Sequence, residues 1–141
     1  MQALCENSMH LNCKCGNIDI EWDTKVSPLV ARKCGCEYCT QQNGEFVSDA
    51  DSTVSYKIRD SSLHKIVRNG SGTADFHECK SCGVVLVTSE IENVLYSVIN
   101  AKALSLKDYT LDPKVKNYNG ESVDERLSRR KKNWCRAKAC I

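Results

Sequence analysis

Between residues 11 and 111 the apolar positions come in short runs rich in Val, Ile, Tyr and Thr, broken by Gly, Asn, Asp and Ser. Alternation with a period of two is the mark of strands that bury one face. The runs predict strands at Asn17 to Trp22, Glu45 to Ser48, Thr53 to Ile58, Leu63 to Arg68, Thr73 to His77, Val84 to Thr88 and Val94 to Asn100. In the third of these Val54, Tyr56 and Ile58 share a face. Asn69-Gly70-Ser71-Gly72 is a turn signal, because glycine accepts positive φ. A small, mainly β domain follows. After residue 120 the pattern changes. Ser122-Val-Asp-Glu125 has the form of a capping box, and acidic residues precede basic ones as the helix dipole favours. This predicts a C-terminal helix from Ser122 to Lys138. Val123, Leu127 and Trp134 would pack on the β domain, while Arg129, Arg130, Lys131, Lys132, Arg136 and Lys138 stay in solvent.

A chain of 141 residues with 41% hydrophobic and 27% charged residues fits one globular domain. The divisions read from the pattern are an N-terminal extension over 1–10, a β domain over 11–118 and a basic helix over 119–141. No apolar run is long enough to span a membrane. The first eleven residues include Glu6 and His10 and lack the basic and apolar regions of a secretory signal. A cytoplasmic or nuclear location is therefore expected.

In a reducing compartment the cysteines acquire a specific meaning. Seven of the ten fall in three clusters: Cys13-Lys-Cys15-Gly, Cys34-Gly-Cys36-Glu-Tyr-Cys39 and Cys79-Lys-Ser-Cys82-Gly. Such close pairs rarely bridge each other, whereas their thiolates can converge on one zinc ion. On extended backbone Cys13 and Cys15 face the same side. The turn at Cys79 and Cys82, followed by Gly83, can point amide N–H groups at the sulfurs. These four are expected to close one structural zinc site. Cys34, Cys36 and Cys39 would hold a second zinc with one position open, the arrangement of a catalytic site. Three thiolates make a weak Lewis acid, so this site suits thiol binding and carbonyl chemistry better than peptide hydrolysis. Thiolates of two such sites would bring the formal charge from +2 to about −1. The body of the protein thus offers no case for binding nucleic acid.

The order Leu11-Asn-Cys13-Lys-Cys15-Gly16, Cys34-Gly-Cys36-Glu-Tyr-Cys39-Thr-Gln-Gln-Asn-Gly44 and Phe76-His-Glu-Cys79-Lys-Ser-Cys82-Gly83 resembles the glutathione-dependent formaldehyde-activating enzyme family, which includes the centromere protein V relatives. The resemblance spans about residues 10 to 106. It implies a zinc-bearing β-tent of short antiparallel sheets. It also implies a structural zinc on Cys13, Cys15, Cys79 and Cys82, and a catalytic zinc on Cys34, Cys36 and Cys39 where glutathione binds. The implied activity is that of a carbon–sulfur lyase giving S-(hydroxymethyl)glutathione. The competing reading is a non-enzymatic zinc module that binds a protein or chromatin partner.

Other residues bear on these readings. His77 is the best candidate for an additional metal ligand or thiolate partner, ahead of His10 and His64, but a place on a strand face is the simpler reading. Arg32, Lys33 and Arg68 are the cations available to the carboxylates of glutathione. Gly44 either permits tight passage after the cysteine loop or forms a plain turn. The seven basic residues from Arg126 to Lys138, with Trp134, could touch a polyanion or a membrane surface, but a helix docked on its own domain is the simpler reading. Cys5, Cys135 and Cys140 are expected to be free thiols.

Overall fold

The computed structural model describes residues 9–25, 29–34, 44–68, 72–106, 109–116 and 121–139. Among these the chain forms β1 (Met9–Asn12), β2 (Ile18–Trp22), β3 (Leu29–Cys34), β4 (Phe46–Val47), β5 (Thr53–Ile58), β6 (His64–Val67), β7 (Asp75–Cys79), β8 (Gly83–Ile91), β9 (Val94–Asn100), β10 (Tyr109–Lys116), helix α1 (Val123–Asn133) and β11 (Cys135–Ala139). The protein is mainly β, as its alternating pattern predicts. On β5, Val54 and Tyr56 are buried and Ile58 packs beside them. Four strands lie outside the predicted set: β1, β3, β10 and β11.

The strands run β1-β2-β5-β11-β9-β4-β3-β10, with β8, β7 and β6 added on the other side of β9. Strand β9 is the hub. Along one edge it pairs with β8; along the other it meets β11 at Tyr96 and Ser97 and β4 at Ile99 and Asn100. The β8–β9 hairpin turns on Glu92 and Asn93, both at positive φ (53° and 69°) between the paired Ile91 and Val94. Two positive φ values match the strand twist, although Glu is an unusual choice there. Most strand pairs are antiparallel, as expected, and two are not: β10 runs parallel to β3 and β11 runs parallel to β5. Parallel neighbours need long connections, which local spacing does not reveal.

The main core is built on Trp22, Ile18, Ile20, Val54, Val85, Leu86 and Ile99, all essentially without exposure. Each such side chain contributes roughly 1.5–3 kcal/mol on burial. The Trp22 indole N–H is satisfied by Ser52 Oγ at 2.7 Å. A second cluster of Ala74, Val84, Val87 and Val98 lies against Phe46, Phe76 and Trp134.

The C-terminal segment departs from the expected helix over Ser122 to Lys138. The capping box is present: Ser122 Oγ accepts from Glu125 N at 3.1 Å, and Glu125 Oε1 accepts from Ser122 N at 2.9 Å. The helix stops at Asn133, and Trp134 turns extended. Residues Cys135–Ala139 then enter the sheet between β5 and β9. Backbone partners offered by those two strands override the helical preference of the sequence. Of the predicted packing face Trp134 lies against the second cluster and Leu127 is half-buried, but two residues need correction: Val123 is 48% exposed, and Arg130, expected in solvent, is buried. Arg130 Nη1 donates to Thr73 O, Thr73 Oγ1 and Ser89 Oγ, and its guanidinium lies 5.0 Å from the Trp134 ring centre. Burial pushes its pKa down to about 10, with Arg129 and Arg126 adding to the effect. Among the described residues no helix is long and apolar enough to cross a membrane.

Candidate metal centre

Two glycine-terminated turns build the centre. Cys13 lies just beyond β1, and the chain reverses at Gly16, whose φ is +81°, with Gly16 N donating to Cys13 O at 2.8 Å. Cys79 ends β7, and Cys82 precedes Gly83, whose φ is +84°; here Cys82 N donates to Cys79 O at 3.1 Å. Both glycines occupy backbone that side-chain-bearing residues resist. A bulge between His77 and Glu78 re-aims the end of β7.

The two turns bring the sulfurs of Cys13, Cys15, Cys79 and Cys82 within 4.8 Å of one another. Cys15 Sγ lies 3.2 Å from Cys79 Sγ and 3.6 Å from Cys13 Sγ. Four sulfurs on one tetrahedral zinc would stand about 3.8 Å apart, so small adjustments suffice. Backbone donors already address the sulfurs: Ile18 N points to Cys13 Sγ and Cys15 N to Cys82 Sγ, each at 3.4 Å. Such N–H groups stabilise thiolate charge around a metal. The set could hold a metal ion, and its donors suit a thiophilic one. It is also asymmetric. Cys13 and Cys79 are buried and Cys82 is half-buried, while Cys15 is exposed. The Cys15 thiol is pulled down to about 7, chiefly by the hydrogen bond from Cys79 and then by the Asn17 amide. Burial pushes Cys79 the opposite way, up to about 12.

The model of the family described as glutathione-dependent formaldehyde-activating enzyme matches residues 8–121. The chain belongs to this family. The matched region contains all seven clustered cysteines, and it ends before α1 and β11. No curated protein matches the chain at a significant level. The crystal structure of a Rhodobacter sphaeroides protein shares the fold with a TM-score of 0.50 and 20% identity, over 74% of this chain and 100% of that one.

The second cysteine group of this family member is only partly in view. Cys34 is the last residue of β3, while Cys36 and Cys39 lie outside the described residues, as do Cys5 and Cys140. Cys135 is buried and its sulfur accepts from Asp49 N at 3.3 Å. The cations named from sequence have distinct settings. Arg32 is exposed on β3, Lys33 reaches Glu45 at 3.8 Å, and Arg68 is bound to Asp75 at 2.7 Å. Gly44 passes close under Phe46, where an added Cβ would meet the ring at 2.5 Å. That supports the tight-passage reading of this glycine over the plain turn.

His77 is engaged elsewhere and does not face the sulfurs as a spare ligand. Its Nε2 is 2.9 Å from Thr88 Oγ1 and its Nδ1 is 2.9 Å from His64 Nε2. Its ring also packs on Tyr56. Burial, helped by His64, pushes its pKa down to about 4. His10 lies at the surface near Asp19. Sequence reasoning missed a polar group at the base of the β3–β4 hairpin. Tyr109 Oη donates to Glu45 Oε1 at 2.6 Å, and Asn100 Oδ1 receives Glu45 N at 3.1 Å. Burial and the Glu45 contact push the Tyr109 phenol up to about 12. These residues are far apart in the chain and meet only through strand pairing, so no local signal marks them.

Proposed function

We propose that the protein is a zinc-dependent carbon–sulfur lyase of the S-(hydroxymethyl)glutathione synthase type, which joins glutathione or a related small thiol to formaldehyde or another small electrophile. The observation that carries this reading is the family match over 8–121, which takes in both cysteine groups. In it Cys13, Cys15, Cys79 and Cys82 hold a structural zinc, and Cys34, Cys36 and Cys39 hold a catalytic one, two ions per chain. A zinc ion at the three-cysteine site would supply thiolate stabilisation and polarisation of a carbonyl oxygen.

The chain's own residues supply placement. Cys34 is fixed by β3, which lies between β4 and β10. On the return side Gly44 is packed under Phe46, and Glu45 is tied to Asn100 and Tyr109. The described residues on either side of the second cysteine group, Cys34 and Gly44–Glu45, are therefore tied to the sheet, which favours a constant orientation of bound reactants. Arg32, exposed on β3 two residues before Cys34, is the cation we assign to a glutathione carboxylate. In the reaction an S–C bond forms, the carbonyl π pair moves to oxygen, and that oxygen takes up the proton given by the thiol. Thiols add to formaldehyde unaided, so orientation alone can account for a modest acceleration.

Exchange between free glutathione and its hydroxymethyl adduct, measured by NMR, tests the proposal. The wild type is expected to speed exchange, and Cys36→Ser to return it to the uncatalysed rate while the four-cysteine site keeps its zinc. Equal exchange rates with and without wild-type protein would overturn the enzyme reading.

A further inference from the structure

The four-cysteine centre has one side open to solvent. A cavity of about 380 Å³ is lined by Asn12, Cys15, Gly16, Asn17, Arg59 and Leu63. It places the exposed thiol of Cys15 at the wall of a space large enough for a small peptide-like molecule. Arg59 is held on this wall by Asp19 Oδ2, to which its Nε donates at 2.7 Å, and its side chain remains 62% exposed. The other three sulfurs are less accessible: Cys13 and Cys79 are 0% and 1% exposed, and Cys82 is half-buried.

From this geometry we infer that Cys15 is a thiol–disulfide exchange site for low-molecular-weight disulfides, and that its reaction releases the metal of the four-cysteine centre. Access and thiolate character govern such exchange, and a zinc thiolate retains the character while the cavity gives the access. The Cys15 thiolate attacks one sulfur of the incoming disulfide; a new S–S bond forms, and one small thiolate leaves. Cys79 Sγ, 3.2 Å from Cys15 Sγ, then attacks the Cys15 sulfur and expels the second small thiolate. A disulfide bond is about 2.05 Å long, so the two sulfurs need approach by little more than 1 Å. The small disulfide is reduced by two electrons, and Cys15 and Cys79 are oxidised by two. Cys13 and Cys82 remain as thiolates and cannot hold the ion alone. Cys13 is a poor resolving partner, being only two residues from Cys15. The product exchanges a metal-mediated link between the β1–β2 turn and the β7–β8 turn for a covalent one. The fold should therefore outlast the loss of metal. This inference rests on metal binding by the four cysteines and is independent of the lyase reading.

Zinc-loaded full-length protein treated with oxidised glutathione provides the test. Released zinc is followed with a chromogenic chelator, and modified cysteines are mapped by mass spectrometry over time. Among the four ligands Cys15 should be modified first, zinc should leave at the same rate, and a Cys15–Cys79 link should follow while circular dichroism keeps its β signature. Asn12→Trp, which fills the cavity from the exposed end of β1, should slow Cys15 modification roughly tenfold without lowering zinc content. Modification of Cys82, Cys13 or Cys79 ahead of Cys15, zinc loss with Cys15 still reduced, or an Asn12→Trp rate equal to wild type would each overturn it. Absence of zinc from the four cysteines before any disulfide is added would overturn both this inference and the metal reading, and leave the exchange assay of the lyase untouched.

Discussion

The four-cysteine cluster and the C-terminal segment both bring distant strands together, but by opposite means. The centre uses four donor atoms on two tight turns, each ended by a positive-φ glycine, and joins β1–β2 to β7–β8. The C-terminal segment lays α1 against β8 and inserts β11 between β5 and β9, using backbone pairing, Trp134 and a buried Arg130. Local spacing suffices for the first, and the sequence displays it. The second needs a slot formed by strands far away in the chain, and no window of sequence contains it. A contact is legible from sequence to the degree that its geometry is set by neighbours along the chain.

Removing each fastening in turn tests this contrast. The largest effect should come from truncation after Asn133, which takes away Trp134 and β11 and leaves edges of β5 and β9 unpaired; loss of a cooperative thermal transition and aggregation are expected even with zinc in excess. Cys82→Ser should cost several kcal/mol in zinc-replete buffer, because metal affinity at this centre is also folding energy, and should lower measured zinc content. A chelator should destabilise the wild type but have little further effect on Cys82→Ser. Arg130→Met should cost about 1–2 kcal/mol in urea unfolding, through the lost donors to Thr73 and Ser89, with zinc content unchanged. Smallest should be Ser122→Ala, at about 1 kcal/mol, since it removes one capping acceptor at a surface helix end. If Arg130→Met lowered zinc content as Cys82→Ser does, the two fastenings would not be independent.

The same reasoning explains what was readable elsewhere. The limits of Thr53–Ile58 are legible because its apolar and polar residues alternate without interruption, and those of Val94–Asn100 because a run rich in β-formers follows the turn residues Glu92 and Asn93. The capping box at Ser122 is legible because it lies within four consecutive residues. Strand β3, with the sequence Leu-Val-Ala-Arg-Lys-Cys, lacks clear alternation and gives no strand signal, and neither does β10, which carries Pro113. Both are joined in a parallel pair, where long-range register replaces hairpin signals. At the site, the four cysteines that the structure brings together stand out in the sequence by their spacing. The Tyr109–Glu45 contact and the His64–His77–Thr88 chain did not, since their members meet only across strands.

Placing β11 in the interior of the sheet also constrains the order of events as the polypeptide emerges during synthesis. The other described strands are available sooner, yet β5 and β9 must wait for the segment that separates them. Until it arrives the nascent chain displays two adhesive borders, the state in which holding chaperones are most needed and mispairing with another copy is easiest.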